Sequence, residues 1–133
     1  MSGETDLKTL LSSLSPLMLG ADYVFCNVAS GSYGDYAQAN PIASFQEPEG
    51  LTLVLTRENA DLCALSYEGI FRCISLQVHS SLEAVGLTAI ISGKLAAYDI
   101  SANVIAGYFH DHVFVPQQKA DQALELINNL NNL

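Results

Sequence analysis

The histidines of this 133-residue chain have the spacing that most directly suggests chemistry. His110 and His112 are two positions apart, so on a β-strand both imidazoles would lie on one face and could bind one metal ion. No third ligand follows at a recognised spacing, and Asp111 between them is equally typical of a hairpin turn. The pattern therefore favours a turn, while a metal-binding protein or an enzyme that uses this pair stays an alternative.

The three cysteines form an odd set without a CxxC spacing, so neither a disulfide framework nor a zinc pattern fits them. Cys26 and Cys73 fall inside apolar segments, where thiols are normally inert. The sequence contains no nucleophile elbow, P-loop or dinucleotide-binding motif. These observations predict buried, reduced cysteines, no cofactor and no enzymatic activity.

Composition and charge disfavour several classes of partner. Five basic residues against 14 acidic ones give a formal net charge of −9, which repels nucleic acids and anionic membranes. Hydrophobic residues make up 50% of the chain and charged residues only 14%, which indicates a buried subunit interface and hence a homodimer. The polar, acidic N-terminus does not resemble a signal peptide, and the longest apolar runs are far shorter than the roughly 20 residues of a membrane helix. We therefore expect a soluble, cytoplasmic protein.

The elements of the N-terminal half are predicted in the order α-β-β-β-α. They are a helix with a leucine stripe at Leu7, Leu10, Leu11 and Leu14 that ends before Pro16 and Gly20, a strand at Tyr23–Val28, a loop at 29–40, a hairpin of Ile42–Phe45 and Leu51–Leu55, and a helix capped by Thr56. The loop is long enough to suggest a role. Its Tyr33 and Tyr36 either cover a pocket or pack locally, and the sequence does not distinguish the two.

The elements of the C-terminal half are predicted in the order β-α-β-β-α. They are a strand at Ile70–Val78, a helix from a capping box at Ser80 and Glu83 to about Ala97, a hairpin of Asn103–Phe109 and Asp111–Val115 with its turn near His110, and a helix opened by Pro116 with a stripe at Ala120, Ala123, Leu124 and Ile127. The first of these helices has an apolar face of mostly small residues, at Leu82, Val85, Gly86, Ala89, Ile90, Gly93 and Ala97. Because glycine marks close approach, we expect a sheet, a helix or a small molecule against that face.

The order β-α-β-β-α is a ferredoxin-like βαββαβ unit without its last strand. The simplest completion is a strand donated by the N-terminal half. We therefore predict an α+β fold with antiparallel sheets and two interlocked units, at residues 1–68 and 69–133.

Three stretches resemble the ACT-domain family, and in particular small bacterial proteins with two ACT-like units. They are SPLMLGADYVFCNV with the helix before it, EPEGLTLVLTRENAD, and ISANVIAGYFHDHVFVPQQKADQALELI at residues 100–127, the most distinctive of the three. Together they cover most of the chain. The resemblance implies a ligand-sensing module that pairs side by side with another unit and binds an amino acid or another small effector.

The resemblance also implies where the effector binds: at the loop after the first strand and the start of the next helix, opposite a strand of the neighbouring unit. The matching loop and helix residues are His79, Ser80, Ser81, Gly86 and Leu87, and the facing strand contains Ser101, Ala102, Asn103, Val104 and Ile105. ACT loops often have a glycine before the helix, where this chain has His79, Ser80 and Ser81.

The chemistry of these residues suits a zwitterion. Unpaired amides at a helix start can hold a carboxylate without Lys or Arg, and Asn103 with strand carbonyls could bind the ammonium group. Each residue also has a structural interpretation, because Ser80 can cap the helix, Asn103 can bond a strand end, and Gly86 can allow close packing.

We therefore favour a non-enzymatic regulatory protein with an amino-acid effector. An apolar or aromatic amino acid is expected because Leu87, Val104 and Ile105 are apolar and no basic side chain lies in either stretch. The alternative is a structural module whose small-residue helix face serves only dimerisation.

Overall fold

The computed structural model describes residues 6–77 and 85–132. The helices and strands of the described residues are α1 (Leu7–Ser12), β1 (Pro16–Val28), a 3-10 turn (Ala37–Ala39), β2 (Ala43–Glu47), β3 (Gly50–Thr56), α2 (Arg57–Leu62), β4 (Phe71–Leu76), α3 (Leu87–Ala97), β5 (Asn103–Ala106), β6 (Asp111–Pro116), a 3-10 turn (Gln117–Lys119), α4 (Ala120–Asn128) and a last 3-10 turn (Asn129–Asn132). The fold is α+β with antiparallel strand pairs, as predicted.

The chain forms two compact units. Unit 1 contains Met1–Gly20 and Arg72–Leu133, and unit 2 contains Ala21–Phe71. The first 20 residues therefore fold with the C-terminal half, which confirms the interlocked arrangement. The division at residues 68 and 69 concerns the linear order of the two ACT-like stretches, and it stays a prediction.

Unit 2 is built on a hairpin whose turn chemistry is visible in the sequence. Its strand order is β2-β3-β1. Glu47 pairs with Gly50, so Pro48 and Glu49 form a two-residue loop, and Gly50 has φ +136°. A Cβ at Gly50 would collide with the carbonyl oxygen of Val28, so this position requires glycine.

The core of unit 2 follows the alternation of β1 and β3. Its buried residues are Val24, Cys26, Ala39, Leu51, Leu53, Leu55 and Ala60. Thr56 caps helix α2 as predicted, because the Thr56 hydroxyl accepts a hydrogen bond from the Asn59 amide at 3.2 Å.

In unit 1 the strand order is β1-β4-β6-β5, which is the order of a ferredoxin-like unit whose fourth strand comes from the N-terminal segment. Hydrogen bonds link this segment to β4 and to the residue after it: Arg72 Nη2 donates to the Leu19 carbonyl at 2.8 Å, and the Gln77 amide donates to the Ser15 carbonyl at 2.9 Å. The expectation that β1 begins at Tyr23 is wrong, since β1 begins at Pro16. Proline is tolerated as the first residue of a strand, where its missing N–H costs no ladder bond.

Helix α3 differs from the prediction in both its start and its buried face. The predicted capping box lies outside the described residues, but Val85 and Gly86 precede the helix, which begins at Leu87. Its buried residues are Leu87, Ile91 and Leu95. By contrast, a Cβ added at Gly93 would have no heavy atom within 4 Å. The large leucines and isoleucine bury more apolar area than the small residues, so they face the core.

The remaining core of unit 1 is formed by leucines of α1 and by the strands and helix of the C-terminal half. Its other buried residues are Leu10, Leu14, Ile74, Leu76, Ile100, Val113, Val115, Ala120, Ala123, Ile127 and Leu130. The predicted stripe of α4 is confirmed, with Leu124 partly buried at its edge.

The β5–β6 hairpin turns earlier than predicted. Ala106 pairs with Asp111, and the Gly107 amide donates to the His110 carbonyl at 2.9 Å. Strand β5 therefore ends at Ala106 instead of Phe109, because a four-residue loop begins at Gly107. Tyr108 and Phe109 lie exposed at this loop, with their rings 5.1 Å apart.

Candidate functional site

The residues predicted to bind an effector lie in unit 1, and three of them, His79, Ser80 and Ser81, fall outside the described residues. The others divide into the start of α3 and the stretch that leads into β5. Leu87 of the first group belongs to the hydrophobic core of unit 1, and Ala102 and Val104 of the second group pack against that core.

The start of α3 is shaped by Gly86, which has φ +103° and accepts the first helical hydrogen bond, from the Ile90 amide at 3.0 Å. A Cβ at Gly86 would lie 3.2 Å from Cδ2 of Leu7. Glycine has no side chain to cap the amides of this first turn. Leu87 is only 4% exposed and belongs to the core, so its side chain serves packing.

The β5 stretch presents alternating polar and apolar side chains. Ser101 and Asn103 are exposed, whereas Ala102 and Val104 pack against the core of unit 1. Ile105 is partly buried and pairs with His112 of β6. Asn103 makes no side-chain hydrogen bond to another described residue.

The two histidines considered for metal binding lie at the start of β6 and in the loop before it. Burial lowers the pKa of His112, and the nearby His110 lowers it further. Burial raises the pKa of Asp111, against the opposing effect of His112. His110 Nδ1 is buried without a hydrogen-bond partner in the described part of the chain. Residues 6–77 and 85–132 contain no group of three potential metal ligands.

The cysteines are free thiols. Cys26 and Cys73 are buried, and burial raises both pKa values, that of Cys73 to about 11. A thiol with a raised pKa is a poor nucleophile at neutral pH. Cys63 at the end of α2 is partly exposed.

Unit 2 contains a cleft of about 260 Å³ that sequence reasoning did not locate. It lies between the loop after β1 and the β2–β3 hairpin, and it is lined by Tyr33, Gly34, Asp35, Ala37, Asn40, Pro41, Ser44, Leu51 and Leu53. Tyr33 lines the cleft, while Tyr36 packs against the core of unit 2, so the two tyrosines have different roles. Gly34 and Asn40 have positive φ. Their residue types, within a loop of 12 residues, are the sequence signal that could have indicated this cleft.

No described helix is long and apolar enough to cross a membrane.

Two family models, both described as ACT domain, match the chain, one at residues 2–72 and the other at residues 68–129. No curated protein sequence matches it.

Among solved structures, a Vibrio cholerae protein of unknown function, described as a possible transport protein, is 53% identical, with a TM-score of 0.85 over 94% of this chain and 95% of that one. An Agrobacterium tumefaciens protein is 16% identical, with a TM-score of 0.73 over 89% of each chain. The ligand-free regulatory subunit of aspartate kinase from Thermus thermophilus is 10% identical, with a TM-score of 0.64 over 89% of this chain and 96% of that one. At these low identities the last two establish similarity of fold alone.

Proposed function

Because this chain belongs to the ACT-domain family, we propose that it is a non-enzymatic regulatory protein whose effector is a free amino acid. The observation that carries the proposal is the coverage of the chain by two ACT models. ACT domains are regulatory modules that bind small effectors such as amino acids and often dimerise. The homodimer and the cytoplasmic location expected from the sequence are part of the same proposal.

The proposed site is the one predicted beside α3, at His79, Ser80, Ser81, Gly86 and Leu87 with the stretch Ser101–Ile105. Two features of the described residues support it. The first turn of α3 has no side-chain cap, so amide donors are available to a carboxylate. Asn103 is exposed with an unengaged side-chain amide, whose oxygen can accept from an ammonium group.

The mechanism we propose is a population shift. An effector that contacts both α3 and β5 stabilises the arrangement in which both groups reach it, and by no more than its differential affinity for the alternatives. The regulated partner would then bind selectively to that arrangement.

The test is a thermal-shift screen of the purified protein against the twenty amino acids. A ligand of the folded state at 100 times its Kd stabilises it by about 2.7 kcal/mol, so a few apolar or aromatic amino acids should raise the melting temperature and the others should not. A flat screen, confirmed by calorimetric titration without heat of binding, would contradict the amino-acid effector and favour the dimerisation module.

The residue-level test uses Asn103→Ala, with Asn27→Ala as the matched control because Asn27 is also an exposed strand asparagine. We expect Asn103→Ala to weaken binding of the identified amino acid about tenfold, the loss of one hydrogen bond to a charged group, with an unchanged melting temperature of the free protein. Equal affinities of the two variants would remove Asn103 from the site.

A further inference from the structure

The cleft of unit 2 has a fixed wall, because the loop that forms it is held by hydrogen bonds at several points. Gln46 of β2 binds the loop twice: Oε1 accepts from the Tyr33 amide at 3.0 Å, and Nε2 donates to the Gly31 carbonyl at 3.1 Å. Asn59 Nδ2 of α2 donates to the Ala39 carbonyl at 2.9 Å. These bonds join both ends of the loop to its own unit, so the cleft does not need a ligand in order to form.

The charge at the cleft is negative. Asp35 is the one charged residue in its lining, and no Lys, Arg or His is among the lining residues. Oδ2 of Asp35 accepts from the Ser32 amide at 2.9 Å, which orients the carboxylate and leaves acceptor positions free. The chain as a whole carries a formal charge of −9. A cationic ligand is therefore attracted here and an anionic one is repelled.

The remaining lining of the cleft contains both apolar and polar residues. Its apolar residues are Leu51, Leu53, Ala37 and Pro41, and its polar residues include Asn40 and Ser44. The Asn40 and Ser44 side chains make no hydrogen bond among the described residues. Tyr33, another lining residue, is 85% exposed. A volume of about 260 Å³ corresponds to roughly nine water molecules, which suits a small organic molecule.

We propose that this cleft binds a small primary amine with a short apolar body, with its ammonium group on the Asp35 carboxylate and its apolar part over Leu51 and Leu53. This site lies in unit 2, so it is separate from the effector site proposed beside α3 in unit 1. Either site can be absent without affecting the evidence for the other.

The experiment is a titration followed by amide chemical shifts, with three isosteric probes: 3-methylbutylamine, 3-methylbutanol and 3-methylbutanoate. We expect the amine to shift the amides of residues 33–41 and 51–53 saturably. The neutral alcohol should bind about fivefold more weakly, the upper range for one solvent-exposed ion pair, and the carboxylate should not bind. Saturable shifts confined to residues outside the cleft, or equal binding of the carboxylate, would overturn the proposal.

The variant pair is Asp35→Asn and Glu49→Gln, which change the net charge equally, since Glu49 lies in the β2–β3 turn outside the cleft. Asp35→Asn should weaken the amine about fivefold and flatten its salt dependence, while leaving the alcohol unchanged. Equal effects of both variants would mean that net charge, not this site, attracts the amine. Leucine serves as the last probe: binding in the cleft as tight as that of the amine would replace the proposed ligand class by a zwitterion.

Discussion

At the scale of single residues, the start of β6 contains two side chains, Asp111 and His112, whose charged forms are disfavoured by burial. The pKa of His112 is lowered, chiefly by burial, so the unfolded chain takes up a proton at this residue before the folded chain does. Protonation of His112 therefore favours unfolding as pH falls below about 6.5. Asp111 acts in the opposite direction. Its pKa is raised in the folded state, so the folded chain takes up a proton at this residue before the unfolded chain does, and at lower pH this protonation stabilises the folded state.

We predict that His112→Asn reduces the acid sensitivity of the protein. Between about pH 7.5 and pH 5.5, the free energy of unfolding should fall less in the variant than in the parent chain, since the variant lacks this group. Urea unfolding across that range measures both curves. Two parallel curves would mean that His112 titrates alike in the folded and unfolded states.

At the scale of the elements, Gly50 fixes the β2–β3 hairpin. Its φ of +136° and its close approach to the Val28 carbonyl both exclude a side chain. We predict that Gly50→Ala lowers the free energy of unfolding by at least about 2 kcal/mol, from strain and displacement of the strand. Gly20→Ala is the control, because nothing lies within 4 Å of a Cβ there. Denaturant unfolding of both variants checks this, and equal losses would contradict it.

Helix α3 offers a test of the dimerisation alternative. Gly93 lies in the helix with open space around it, so Gly93→Ala should stabilise the chain by about 0.5–1 kcal/mol through lower backbone entropy in the unfolded state. Gly86→Ala should destabilise it, because Gly86 has positive φ and faces Leu7.

Melting temperatures of the Gly93→Ala variant at low and high protein concentration test the dimerisation alternative. A loss of stability that depends on concentration would place this helix face in a dimer.

The elements that sequence reasoning located correctly carry their own local signals. Thr56 caps α2, the Pro48–Glu49 loop and Gly50 close the hairpin, and Pro116 precedes the final helical segment. The prediction for the buried face of α3 is wrong because its small residues form a regular stripe in the sequence, whereas the larger side chains are the ones that are buried. The predicted start of β1 is wrong because Pro16 and Gly20 locally indicate a break, whereas pairing with other strands extends β1 back to Pro16.

The candidate sites were predictable to different degrees. The stretch at Asn103 follows from resemblance and from a polar residue at a strand start, and the binding role of that residue stays a prediction. The cleft of unit 2 depends on hydrogen bonds between Gln46 and residues 13 and 15 positions away. Such distant contacts leave no local pattern, so only the length and composition of the loop indicated that it had a role.

At the scale of the whole molecule, the net charge of −9 is a source of self-repulsion. We predict that the melting temperature rises by about 3 °C between roughly 10 and 150 mM NaCl, as the screening length shortens from about 30 to 8 Å. Scanning calorimetry measures the change. A decrease with salt would mean that attractive ion pairs, such as Lys119 with Asp99, outweigh the repulsion.

The donated segment of β1 has a consequence for synthesis on the ribosome. Residues 21–71 are contiguous, so unit 2 has all its parts once they have emerged, whereas residues 1–20 must wait for residues 72–133. During that interval the leucines of α1 stay in water and remain open to chaperones. Residues 1–20 thus leave the ribosome before residues 21–71 and yet reach their final neighbours later.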